Sequence, residues 1–130
     1  MTKILLLIED DKVLSRMYEK LLSNHGYTIE VTDNGEDGLE AALRDRPALI
    51  LLDIGLPKMD GMTLMHKLRQ DQWGKTVPII ILTNYDTDDE RLKGVVEDQP
   101  AFYLIKSNNP PETVVEKIKE ILGSTFQPKS

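Results

Sequence analysis

Five short apolar runs, set at near-regular intervals and separated by stretches of different periodicity, constrain this chain more than any other feature. They are KILLLI (3–8), YTIEV (27–31), ALILLD (48–53), PIIILT (78–83) and AFYLIK (101–106). Four of them are almost continuously apolar, the pattern of strands covered on both faces. The second alternates, and Glu30 between Ile29 and Val31 suggests an edge strand. Helical patterns fill the gaps. Val13, Leu14, Met17, Tyr18, Leu21 and Leu22 form one stripe, with Gly26 at a C-cap position. A second helix is expected to start near Asn34 and to bury Leu39, Ala42 and Leu43. A third carries Met62, Met65 and Leu68 and stops near Gly74. Thr87-Asp88-Asp89-Glu90 reads as a capping box opening a fourth. Asn109-Pro110-Pro111-Glu112 opens a fifth, which buries Val114, Val115, Ile118, Ile121 and Leu122 before Gly123.

Strands alternating with helices imply an α/β fold: a doubly wound five-stranded parallel sheet with helices on both faces. The 130 residues suffice for one domain. We expect it to span 1–123, with 124–130 a C-terminal tail or the start of a linker. Sixteen basic and 22 acidic residues give a net charge of −6, which argues against direct nucleic-acid binding and against an anionic membrane surface. Cysteine is absent, so disulfides, thiolate catalysis and thiolate-bound zinc are excluded, in keeping with a cytoplasmic home. The apolar runs are too short to span a bilayer, and no glycine-rich nucleotide loop follows the first strand.

In a doubly wound sheet, ligands bind at the carboxyl ends of the strands. Those ends carry Glu9, Asp10 and Asp11 from the first strand, Asp53 from the third, Thr83 from the fourth and Lys106 from the fifth. Two carboxylates about 4 Å apart repel by roughly 4 kcal/mol at an effective dielectric near 20. Such a cluster either takes up protons or holds a cation. All-oxygen donors favour a hard ion, with Mg²⁺ the best fit. A carboxylate beside a metal and a lysine can attack a phosphoryl group, with the positive charges offsetting those on its oxygens.

Four segments in order, LLLIEDD, LLDIGLPKMDG, ILTN and YLIKS, resemble the motifs of receiver domains of bacterial two-component response regulators, over about residues 3–122. The resemblance implies the flavodoxin-like strand order 2-1-3-4-5. It implies that Asp53 takes the phosphoryl group, that Asp10 binds Mg²⁺ directly and Glu9 assists, and that Gly55 offers its carbonyl. Thr83 would hydrogen-bond the phosphoryl oxygen and Lys106 would pair with another. Tyr103 would be the aromatic switch, turning inward as Thr83 moves and changing the surface of the fourth helix, fifth strand and fifth helix. The implied partners are a sensor histidine kinase or phosphotransfer protein upstream, and a protein target or output domain downstream. The domain would be no enzyme in the ordinary sense, catalysing only its own phosphotransfer and dephosphorylation.

The chain departs from the family pattern in three places. Ser107 stands where the family usually has proline after the lysine, and a trans bond is expected there. Asn84 and Tyr85 follow the threonine where a small residue is common. EDQPAF lacks the fifth-strand signature of some dimerising members. These departures motivate a second reading, an unphosphorylated receiver-like interaction module. A third, an aspartyl-phosphate hydrolase, would want an acid where Gly55 stands. Elsewhere plain structural roles are expected: Asp60 as a turn or N-cap residue, Met59, Met62 and Met65 as core filling, Trp73 as cover for a helix end, Lys58 solvated, and His25 and His66 at the surface or boundary.

Overall fold

The computed structural model describes residues 3–83, 102–105 and 110–122. Its elements are β1 (Ile4–Ile8), α1 (Lys12–Asn24), β2 (Thr28–Thr32), α2 (Gly35–Asp45), β3 (Leu49–Leu52), α3 (Gly61–Arg69), β4 (Ile79–Thr83), β5 (Phe102–Ile105) and a last helix, Pro111–Leu122. All strand pairs are parallel, in the order β2-β1-β3-β4-β5. The parallel flavodoxin-like sheet with the order 2-1-3-4 agrees with the expectation. The expected fourth helix at Thr87-Asp88-Asp89-Glu90, together with Gly123 and the 124–130 tail, lies outside the described residues.

Alternation within the strands divides the core in two. Leu6, Ile8, Ile50, Leu52, Ile79 and Ile81 pack with Ala41 and Ala42 of α2 and Leu64, Met65 and Leu68 of α3. Leu5, Leu7, Leu49, Leu51, Ile80 and Leu82 pack with Tyr18 and Leu22 of α1 and Val114, Val115 and Ile118 of the last helix. A strand buried on both faces has no polar side to show, which is why these runs read as continuous. Each fully buried aliphatic side chain contributes about 1.5–3 kcal/mol. β2 is less buried than β1 or β3, and Glu30 meets Arg44 of α2 at 3.0 Å, so a charged pair guards this side of the sheet.

Short polar side chains start three of the helices. Asp11 Oδ1 accepts from the Val13 and Leu14 amides at 3.0 and 3.1 Å, Asn34 Oδ1 from Asp37 N–H at 2.9 Å, and Asp60 Oδ1 from Thr63 N–H at 2.9 Å. Each satisfies a backbone donor that the first turn leaves free. Gly26 follows α1 with φ +92°, a left-handed position suited to glycine.

Three expectations are corrected. Val13 is 79% exposed. At roughly 100° per residue, it points away from the buried line through Ser15, Tyr18 and Leu22. Leu43 is exposed for the same reason: α2 turns Gly35, Gly38, Ala41 and Ala42 to the sheet instead. The third helix ends at Arg69, five residues before Gly74. Beyond it, Asp71 Oδ2 accepts from the Trp73 and Gly74 amides at 2.9 Å each and closes a turn, while Trp73 packs against the α2–α3 cluster.

Candidate functional site

Parallel pairing brings the acids together. Ile8 of β1 lies level with Leu52 of β3, and Asp53 N–H donates to the Ile8 carbonyl at 3.1 Å. The residues that follow these two strands therefore emerge side by side. One carboxylate oxygen each from Glu9, Asp10 and Asp53 lies within 4.8 Å of the others. At that separation two full charges repel by about 3 kcal/mol at an effective dielectric near 20. Glu9 is buried at 3% exposure, Asp53 is half-buried and Asp10 is exposed, so the cluster forms a cleft open to solvent on one side. The donor set is all oxygen, without a nitrogen or sulfur ligand, and fits a hard divalent cation.

Backbone groups hold the acids in place. Glu9 N–H donates to the Thr32 carbonyl at 3.0 Å, and Glu9 Oε2 accepts from Asp11 N–H at 3.1 Å. Gly55 N–H donates to Asp53 Oδ1 at 3.4 Å, which puts the Gly55 backbone beside the acid. The loop from Asp53 to Asp60 is pinned from both ends. Gly61 N–H donates to the Ile54 carbonyl at 2.8 Å, and Gly35 N–H donates to the Pro57 carbonyl at 3.2 Å. A Cβ on Gly61 would overlap the Asp53 carbonyl, and a Cβ on Gly35 would overlap that of Met59. Glycine is required at both places because backbone meets backbone.

Thr83 ends β4, the strand beside β3, so its backbone reaches the same edge of the sheet as Asp53. Thr83 pairs with Ile105 of β5, and Tyr103 pairs with Ile81 two residues earlier. Lys106 follows directly on β5 and lies outside the described residues, as do Asn84, Tyr85, Ser107 and Asn109.

Asp11 follows Glu9 and Asp10 at the end of β1, but its carboxylate caps α1. Asp60 is the N-cap of α3, as expected. His66 is exposed, with Nε2 3.1 Å from Gln70 Nε2. Sequence reasoning missed the rim on the β2 side. There Lys12 Nζ meets Asp33 Oδ2 at 3.3 Å, and Asn34 Nδ2 donates to Asp33 Oδ1 and Asp37 Oδ2 at 2.9 Å each. The signal available was Asp-Asn-Gly directly after a strand, which marks a turn and a helix start at the functional edge of the sheet. Among the described residues, no helix is long and apolar enough to cross a membrane.

Residues 5–119 match the family described as "Response regulator receiver domain". The transcriptional regulatory protein HprR of Escherichia coli (strain K12) is 41% identical over 102 residues, covering 78% of this chain and 44% of that protein. The chain spans about half the length of the curated relatives it matches. Among solved structures, the BeF3-activated N-terminal receiver domain of Klebsiella pneumoniae RstA superposes with a TM-score of 0.80 at 32% identity, covering 92% of this chain and 97% of that one. The receiver domain of the sensor histidine kinase PA1611 from Pseudomonas aeruginosa PAO1 superposes with a TM-score of 0.84 at 26% identity, covering 95% and 99%. Its structure has a magnesium ion coordinated in the active site cleft.

Proposed function

This chain belongs to the response regulator receiver domain family, and from that premise we propose that it is a phosphorylation-switched signalling domain with Asp53 as its acceptor. An Asp53 carboxylate oxygen attacks the phosphorus of a phosphohistidine on a sensor kinase or phosphotransfer protein, or of a small phosphodonor. The new O–P bond forms as the P–N or P–O bond of the donor breaks, and the departing electron pair stays with the donor group. Glu9, Asp10 and Asp53, with the carbonyl of Gly55, would hold Mg²⁺. The bound ion supplies positive charge that shields the approaching phosphoryl oxygens from the surrounding acids. Thr83 gives a hydroxyl to a phosphoryl oxygen, and Lys106 gives a second positive charge.

Movement of Thr83 toward the phosphoryl group draws Tyr103 inward. The surface made by the helix expected from Thr87, by β5 and by the last helix changes with it, and a downstream protein or output domain reads that change. The receiver unit, 1–123, is the complete doubly wound fold, with five strands in the order 2-1-3-4-5 and helices on both faces, and 124–130 is a tail or linker start. The domain works in the cytoplasm and catalyses only its own phosphotransfer and dephosphorylation. HprR is named a transcriptional regulatory protein and is about twice as long as the stretch matched. Any contact with nucleic acid belongs to a further domain, because this chain carries a net charge of −6.

The observation that carries the proposal is the convergence of Glu9, Asp10 and Asp53 through the β1–β3 register. Incubation with acetyl phosphate and Mg²⁺, read by intact-protein mass, is expected to add one phosphoryl group to the unaltered chain and none to Asp53→Asn. No added mass on the unaltered chain would favour the unphosphorylated module instead.

A further inference from the structure

We propose that Asp33 is a latch that holds the Lys12 ammonium away from the acidic cleft, so that the cleft stays available to a divalent cation. The inference rests on the magnesium reading above and deepens it.

Glu9 connects the two residues. Its amide is bonded to Thr32, which precedes Asp33, and its carboxylate to the amide of Asp11, which precedes Lys12. The ion pair of Lys12 Nζ with Asp33 Oδ2, at 3.3 Å, therefore joins the two segments that Glu9 holds together, one residue beyond each of its hydrogen bonds. A lysine ammonium is a compact charge on a flexible four-carbon stem. Released from Asp33, Lys12 swings beside three clustered carboxylates, where it is a built-in monovalent competitor for a divalent ion.

An exposed ion pair by itself holds weakly, because ordering two side chains offsets much of the Coulomb gain. Here one partner is already ordered. Asp33 Oδ1 accepts from Asn34 Nδ2 at 2.9 Å, and Asn34 is only 5% exposed. The rest of the Asn34 side chain is engaged by Asp37: Nδ2 donates to Oδ2, and Oδ1 accepts from the amide, both at 2.9 Å. The Asn34 amide first, and then the Lys12 ammonium, hold the Asp33 carboxyl below the usual carboxylate range. The latch is thus an ionised group whose position is set by a buried amide. Its occupant is the one basic residue in EDDK, the segment that leaves β1.

The test is calorimetric titration of MgCl₂ into the full chain and its variants at fixed ionic strength, with circular dichroism as the check on folding. Asp33→Asn keeps a group able to accept from Asn34, and is expected to weaken Mg²⁺ binding about three- to tenfold. Lys12→Gln alone should change it by no more than about twofold, because the charge it removes is already engaged. The double variant should return to the Lys12→Gln value. Should Asp33→Asn fail to fold, Asp33→Ser serves the same comparison. Effects that simply add, as expected if each charge only contributes to a general field, overturn the latch, as does unchanged binding in Asp33→Asn. Absence of Mg²⁺ uptake by the unaltered chain brings down the metal reading, and this inference with it.

Discussion

The sheet face covered by α2 and α3 and the face covered by α1 and the last helix are both fully apolar, yet they meet the site differently. On the first, small residues allow close approach: Gly38 lies against the Ile8 side chain, while Gly35 meets the Met59 carbonyl and Gly61 the Asp53 carbonyl, backbone to backbone. Both helices press directly on the loop that carries Asp53. On the second face, Tyr18, Leu22, Val114 and Ile118 hold the helices off by their bulk. A groove lined by Met17, Lys20, Leu21, Asn24, Pro111 and Glu112 remains between α1 and the last helix. Backbone-to-backbone contact cannot give way by a rotamer change, whereas packing through long side chains can. The first face fixes where Asp53 stands, and the second leaves helix spacing adjustable.

The sharpest way to break this contrast is Gly61→Ala. The added methyl meets the Asp53 carbonyl and the Ile54 Cα, so α3 or the loop must shift, at a cost of about 3 kcal/mol in urea unfolding. A loss below about 1 kcal/mol would mean that the first face yields as readily as the second.

On the second face the probe is the Tyr18 phenol, whose pKa is pushed up to about 12 by burial first, then by the charge of Glu9 and then by that of Glu112. A folded-state value above the usual 10 favours the neutral phenol in the fold. Its contribution is complete below pH 10 and is lost as pH rises through about 12. The unaltered chain should therefore lose about 2 kcal/mol more than Tyr18→Phe across that window. Tyr27, also raised by burial, is common to both proteins and cancels. Equal losses would mean that water reaches this phenol and that the second face is looser still.

The smallest effect concerns the loop itself. Lys58 has φ +69°, a left-handed conformation that costs a side-chain-bearing residue about 1 kcal/mol. Lys58→Gly should stabilise by about 0.5–1 kcal/mol, read as a shift in denaturation midpoint at constant slope. A loss would show that the Lys58 side chain contributes more than its backbone strain takes away.

Strand periodicity made the sheet legible: a continuous apolar run has few interpretations, and the even spacing of five runs leaves little freedom in how they connect. The acids at the strand ends were legible for the same reason, since Glu9, Asp10 and Asp53 sit where the runs stop. Helix faces were harder. A hydrophobic stripe selects large residues, so Leu43 was expected inside and Gly38 and Ala41 were overlooked. Yet α2 turns its smallest residues inward, because it lies close to Ile8. Single-residue geometry was not legible at all. Nothing in Pro-Lys-Met-Asp announces a left-handed lysine, and nothing in Asp-Asp-Lys tells the helix-capping acid from its neighbour in the acidic cluster. Those assignments depend on contacts made across the chain.

Asn34 is followed by Gly35, the dipeptide in which an asparagine side chain is most open to attack by the next backbone nitrogen, with loss of ammonia. In the fold that nitrogen donates to the Pro57 carbonyl, and the amide is held by two aspartates. Chemical ageing at this dipeptide is thereby confined to molecules that have opened, so the working life of the cleft's rim is set by how seldom the domain unfolds.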